Sequence, residues 1–154
     1  MKILVVSDTH GDVYSLKTAI NQRPQAEVII HCGDGNSEFE SMRNLYPEKH
    51  FIGVKGNCDL FSSASNIETI TLEGKKIFVT HGHIYNAKYG LYNLVCAARE
   101  AGADLLLFGH THNALEDYDD GLYIVNPGSC HGYGASYAYI DVSENGIVTR
   151  HFKL

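Results

Sequence analysis

Five short apolar runs, each closing on side chains that bind metals, constrain this chain more than any other feature. Ile3-Leu4-Val5-Val6 runs into Ser7-Asp8-Thr9-His10-Gly11-Asp12. Val28-Ile29-Ile30 runs into His31-Cys32-Gly33-Asp34-Gly35-Asn36, and Phe51-Ile52-Gly53-Val54 into Lys55-Gly56-Asn57-Cys58-Asp59. Ile77-Phe78-Val79 leads to Thr80-His81-Gly82-His83, and Leu105-Leu106-Leu107-Phe108 to Gly109-His110-Thr111-His112. Runs this short read as strands buried on both faces. In open α/β sheets, ligands gather beyond the carboxyl ends of strands. One such ending means little. Five point to a single rim carrying a single site.

Between the runs the period changes. Val13, Leu16, Ala19 and Ile20 fall at helical spacing over residues 13–21, and Pro24 closes that helix. Ser37 and Glu40 stand in capping-box spacing, which predicts a helix starting there and ending near Pro47. Leu91, Leu94, Val95 and Ala98 predict a third helix, ended by Gly102. Residues 67–72 predict a strand that turns at Glu73-Gly74-Lys75 into the fourth run. Residues 122–125, 136–142 and 147–152 predict a closing meander, with turns at Asp119-Asp120-Gly121 and Glu144-Asn145-Gly146. This order predicts an α/β fold of two packed sheets flanked by helices, with residues 1–154 forming one domain.

Composition then narrows the partners. The net charge is −6, with no basic run, which argues against duplex nucleic acid. A small anionic substrate fits if bound cations supply the local positive charge. No stretch is long enough to span a bilayer, and Met1-Lys2-Ile3 enters a strand directly, so neither a membrane anchor nor a signal peptide is expected. Cys32, Cys58, Cys96 and Cys130 form no CxxC pair and read as reduced thiols of a cytoplasmic protein.

Asp8, His10, Asp34, Asn57, His81, His110 and His112 are too many ligands for one ion. They suit two divalent cations with Asp34 bridging. Asp8, His10, Asp34 and His112 would take one ion, and Asp34, Asn57, His81 and His110 the other. Oxygen and nitrogen donors without thiolate favour borderline-to-hard metals, and the Asn57 amide tilts the choice towards manganese or iron over structural zinc. Two such ions lie ~3.5–4 Å apart in hydrolytic sites and hold a hydroxide between them. Asp8, Asp34 and that hydroxide cancel three of the four positive charges. The one remaining suits a phosphodiester monoanion. The hydroxide would attack phosphorus in line, and the metals and imidazoles would stabilise charge on the non-bridging oxygens. Asn57, His81 and His110 are the expected catalytic residues.

Asp8-x-His10, Gly33-Asp34, Gly56-Asn57, His81 and Gly109-His110-x-His112 match the five motif blocks of the calcineurin-like metallophosphoesterases, which this chain resembles over essentially its whole length. The closer likeness is to small bacterial and archaeal phosphodiesterases of the YfcE/MJ0936 type. It lies in chain length, in Lys55-Gly56-Asn57-Cys58-Asp59, in Thr80-His81-Gly82-His83 and in the Asn126-Pro127-Gly128-Ser129 turn. The resemblance implies a four-layer α-β-β-α sandwich with two mixed sheets and the two metal sites assigned above. It also implies manganese-stimulated phosphodiester hydrolysis, with nickel, iron or zinc as the other candidate ions. One position departs from the wider superfamily, where Gly-Asn is followed by a His that acts as general acid or holds the leaving group. Here Cys58 stands instead. A neutral thiol, with an ordinary pKa of ~8.5, lacks the imidazolium's charge and reach. Weak leaving-group protonation is expected, and with it a preference for aryl and other acidic leaving groups.

Plainer readings compete. Asp8 and Asp34 each precede a helix and would serve as N-caps. Asn57 alone reads as a turn residue. His31 reads as a core or supporting residue, and His83 is open between a site role and none. Asp12 and Asp59 either tune the ligand imidazoles or are solvated loop acids. His50, His131 and His151 read as surface or structural, and Tyr85, Tyr89 and Tyr92 as packing. A monoester phosphatase would need extra positive charge, and a nuclease a cationic groove. The same fold includes the scaffold subunit of the retromer complex, in which the site has decayed. That reading predicts missing ligands, and all seven are present.

Overall fold

Ile3 and Val5 point to one side of the first strand, Leu4 and Val6 to the other, and all four are buried. A strand apolar on both faces needs a layer against each. The computed structural model, which describes residues 1–154, supplies them. The elements run β1 (Lys2–Val6), α1 (Val13–Gln22), β2 (Val28–His31), α2 (Asn36–Met42), β3 (His50–Gly53), β4 (Ile67–Leu72) and β5 (Lys75–Thr80). They continue with α3 (Tyr92–Glu100), β6 (Leu105–Leu107), β7 (Leu115–Asp119), β8 (Leu122–Asn126), β9 (Ser136–Ser143) and β10 (Gly146–Lys153). Two short 3₁₀ turns, His83–Tyr85 and Ala87–Tyr89, precede α3.

One five-stranded sheet has the order β10-β9-β1-β2-β3 and the other β4-β5-β6-β8-β7. Both are mixed. In the first, β1, β2 and β3 are parallel; in the second, β5, β6 and β8 are. Ile3, Val5, Ile30, Val79, Leu107 and Ile140 belong to the core between the sheets. Leu4, Val6 and Ile29 pack with Leu16 and Ile20 of α1 and Phe39 of α2 on the outer face of the first sheet. Phe78, Leu106 and Ile124 pack with Leu94 and Ala98 of α3 on the outer face of the second. The result is the four-layer α-β-β-α sandwich, and the loops after β1, β2, β3, β5 and β6 carry the five polar endings. No helix is long and apolar enough to cross a membrane. All four cysteines are free thiols.

Two local expectations need correction, and one strand was not expected. The capping box at Ser37 and Glu40 does not form: α2 starts at Asn36, has Gly35 at its N-cap with no side-chain cap, and ends at Met42. Its first N–H groups are satisfied from elsewhere in the chain, as described below. The closing strands are not one meander. β7 and β8 pair antiparallel in the second sheet, while β9 crosses to pair with β1 and β10 in the first. Finally, β7 was not anticipated. Its sequence, Leu115-Glu116-Asp117-Tyr118-Asp119, is mostly exposed and largely acidic, because it is an edge strand paired on one side only.

Candidate metal centre

The loops at the rim hold their side chains in a costly backbone conformation. Asp8 (φ 54°), His10 (45°), Asp34 (59°), His110 (67°) and His112 (61°) all lie in the left-handed region. For residues other than glycine this costs of order 1–3 kcal/mol each and survives only where surrounding contacts dictate it. The remaining non-glycine residues of this kind, Glu73, Asn86 and Asp120, are in turns or at a 3₁₀ boundary. Close approach also decides which residues precede the ligands. A Cβ at Gly56 would collide with Asp34 Oδ1, and one at Gly109 with Ser7 Oγ.

Asp8 is fully buried. Its Oδ2 accepts the Ser7 hydroxyl at 2.6 Å and the His110 backbone N–H at 3.1 Å. Its Oδ1 is buried with no hydrogen-bond partner, yet lies 3.0 Å from His112 Nε2, 3.7 Å from His10 Nε2 and 3.9 Å from His81 Nε2. Asp34 Oδ1 accepts the Cys58 N–H at 2.7 Å, and Oδ2 is 3.3 Å from His81 Nε2. His81 Nδ1 donates to the Cys32 carbonyl at 2.7 Å, which turns Nε2 towards Asp34 and towards Asn57 Oδ1 at 3.1 Å. His10 Nε2 and His112 Nε2 are 3.3 Å apart. Neither Asp8 nor Asp34 caps a helix.

The ligand atoms thus fall into adjoining groups. Asp8, His10 and His112 form one, and Asp8, Asp34 and His81 another, each with its atoms within 4.8 Å of one another. Asn57 joins the second group through His81. Asp34 also meets His10 in a third group, which includes Cys58 Sγ. The His110 side chain enters none of them: its ring packs against His81, centroids 4.9 Å apart. His83 packs against both, at 5.4 and 6.2 Å.

Two buried carboxylates with only imidazoles as ionic partners are costly without a cation. The unpartnered Asp8 Oδ1, the paired imidazole nitrogens and the oxygen and nitrogen donor set all fit divalent cations. The electrostatics agree. Burial would push the Asp34 carboxyl up, but hydrogen bonds from His81 and the Cys58 N–H hold it well below the usual carboxylate range. Burial would lower His81, but the Asp34 and Asp8 carboxylates outweigh it and raise its pKa. Burial, with His81 beside it, pushes His110 down to about 4. Burial and the Asp34 charge push the Cys58 thiol up, so it stays protonated.

Neighbouring residues hold these groups in place. Asp59 accepts the N–H groups of Asp34 (2.7 Å), Gly35 (3.0 Å), Asn36 (3.0 Å) and Gly56 (2.8 Å), so it caps α2 and fixes the loops of two candidate ligands. Asp12, by contrast, is the N-cap of α1, accepting the Ser15 N–H at 2.9 Å and also the Gly132 N–H at 2.9 Å. A buried relay joins the first two loops. Gly33 N–H donates to His31 Nδ1 (3.0 Å), His31 Nε2 to Thr9 Oγ1 (2.9 Å), and Thr9 Oγ1 to Glu38 Oε1 (2.6 Å), which also accepts the Gly11 N–H (2.6 Å). Glu38 gave no sequence cue because it lies inside a helix. The Asn126-Pro127-Gly128-Ser129 turn ties the loops after β6 and β1: Asn126 Nδ2 donates to the Gly109 carbonyl (2.9 Å), and Ser129 Oγ to the Asp8 carbonyl (2.9 Å).

Comparison with known proteins follows the same lines. Residues 1–145 match the model of the calcineurin-like phosphoesterase superfamily domain. The chain is 42% identical over 131 residues to the probable metallophosphoesterase YsnB of Bacillus subtilis, covering 84% of this chain and 75% of that one. It is 30% identical over 151 residues to phosphodiesterase MJ0936 of Methanocaldococcus jannaschii, covering 86% of each. It is also 43% identical over 139 residues to vacuolar protein sorting-associated protein 29 of Schizosaccharomyces pombe, covering 86% of this chain and 73% of that one. Among solved structures, a novel archaeal phosphodiesterase superposes with a TM-score of 0.79 at 24% identity, over 100% of both chains.

Proposed function

Because the chain belongs to the calcineurin-like phosphoesterase superfamily, we propose that it hydrolyses small phosphodiesters at two divalent cations held by Asp8, His10, Asp34, Asn57, His81, His110 and His112. The observation that carries this reading is Asp8 Oδ1, buried, unpartnered and facing three imidazole nitrogens. The ions, manganese in our reading, would supply positive charge for the phosphate and an activated water.

The chain's own groups divide the remaining work. Asp8 and Asp34 bring the negative charge that would retain the ions and leave a surplus suited to a monoanion. The Cys32 carbonyl sets the His81 tautomer, so Nε2 is presented on the same side as the Asn57 amide oxygen. The His110 ring, whose centroid lies 4.9 Å from that of His81, would join Asn57 and His81 at the second ion. The Cys58 thiol is neutral and lacks the charge and reach of an imidazolium, so protonation of the leaving group would be weak. Esters whose leaving groups are already stable anions are therefore the favoured substrates. Free thiols fit a reducing compartment, which we take to be the cytoplasm.

The test is metal-free protein titrated with manganese, nickel, zinc and magnesium against a diester and a monoester side by side. Metal-stimulated cleavage with the diester preferred supports the reading, and no cleavage with any ion sinks it. A second reading, a non-catalytic protein-binding scaffold, is favoured by the likeness to vacuolar protein sorting-associated protein 29. It predicts metal binding without turnover in the same titration.

A further inference from the structure

Two large apolar side chains stand on the loop that follows the candidate ligand Asn57, with nothing covering them. Leu60 is 79% exposed and Phe61 fully so. They belong to the loop that starts at Asn57 and is anchored by Asp59. That loop and α2 border an open groove of about 440 Å³, within the ~300–1,000 Å³ range of small-ligand sites. Cys58 lines the groove and also lies with His10 and Asp34 in one group of candidate ligand atoms, so the groove borders the candidate metal centre at Cys58. Asn36 and Ser37 offer hydrogen-bonding groups on the α2 side.

Charge decides what fits. No lysine or arginine lines the groove, and its charged groups are Glu40 and Asp59. The Asp59 carboxylate is taken up by backbone N–H groups, and Glu40 is paired with Arg43 at 2.6 Å. A second anionic group would find no lysine or arginine in the lining to pair with. A planar uncharged ring would meet the face or edge of Phe61 and the Leu60 side chain.

We propose that this groove receives one ester group of the substrate, and that the group is an uncharged aromatic ring stacked on Phe61. The inference rests on the phosphodiesterase reading above and adds the chemical class of the ester. The test is calorimetry of the manganese-loaded protein with dimethyl phosphate, methyl phenyl phosphate and methyl 4-carboxyphenyl phosphate. The phenyl diester is expected to bind about tenfold more tightly than dimethyl phosphate. The 4-carboxyphenyl diester is expected to show no gain. Phe61→Ala, at a fully exposed position where folding is not at stake, should erase the phenyl preference and leave dimethyl phosphate unchanged. Dimethyl phosphate binding with no phenyl preference, or a preference that survives Phe61→Ala, would overturn this inference alone. If no diester binds, the metal-centre reading falls with it.

Discussion

Asp8 Oδ2 accepts the backbone N–H of His110 at 3.1 Å across 102 residues of chain. The bond joins the loop after β1 in the first sheet to the loop after β6 in the second. It holds the two halves of the candidate metal centre at one separation, and it needs the chain at residue 109 to pass close to the Asp8 side chain.

Gly109→Ala tests that approach. Its methyl group would press on Ser7 Oγ and on Asp8 Oδ2, 2.8 Å away. The expected stability loss in urea unfolding is about 1–3 kcal/mol. Manganese affinity by calorimetry should fall roughly 10–100-fold, as for other groups that orient ligands. Wild-type manganese affinity in this variant would mean that the Asp8 to His110 bond does not organise the centre.

Asp34→Ala removes the carboxylate that lies near both His81 and His10. Diester turnover should drop by about a thousandfold or more with every metal, the loss of several kcal/mol of charge stabilisation. Residual activity with one particular metal would show that Asp34 serves a single ion.

Asp59→Asn replaces an oxygen that accepts N–H groups with an NH₂ that cannot. The loops of Asp34 and Gly56 lose their common anchor. Manganese affinity should fall about 10–100-fold while the protein stays folded by circular dichroism. An unchanged affinity would reduce Asp59 to a helix cap.

Acid should weaken the metal-free fold through His31. The ring is fully buried, with Nδ1 accepting from Gly33 and Nε2 donating to Thr9, a pattern only the neutral form satisfies. Burial, against the pull of Glu38, pushes its pKa down to about 4. The unfolded chain, with an ordinary value near 6.5, therefore binds the proton first as the pH falls. Stability from this group is complete above about pH 6.5, declines towards pH 4 and is lost below it, roughly 3 kcal/mol in all. Urea unfolding in chelator across this range should show the decline, and His31→Asn should flatten it.

Cys58→His restores the residue common in the wider superfamily. A series of diesters of graded leaving-group pKa should show a steep dependence in the natural protein and a shallower one in the variant. Equal slopes would remove the idea that protonation of the leaving group is weak here.

Much of this was legible along the chain. Ile3 to Val6, Val28 to Ile30, Ile77 to Val79 and Leu105 to Leu107 are strands in the structure, and each stops where a polar cluster begins. Burial on both faces demands unbroken apolar runs, and a site at the strand ends demands polar residues straight after them. The fold class and the seven candidate positions follow from that juxtaposition. Helix ends were less legible. Ser37 and Glu40 have capping-box spacing, yet the α2 N-terminus is capped by Asp59, which lies 24 residues after Gly35. β7 was hidden because an exposed edge strand carries no apolar alternation.

What the amino-acid order determined unaided was the kind of ligand at each strand end, since neighbouring residues along a strand face known directions. Only the folded molecule decided which groups meet: Asp8 with His110, Asp59 with the Asp34 loop, Glu38 with Thr9 and Gly11, Phe61 with Asn36 and Ser37 around one groove. Those pairings depend on which sheet edges come together and how loops cross between sheets. Residues far apart in sequence carry no mark of that on their own.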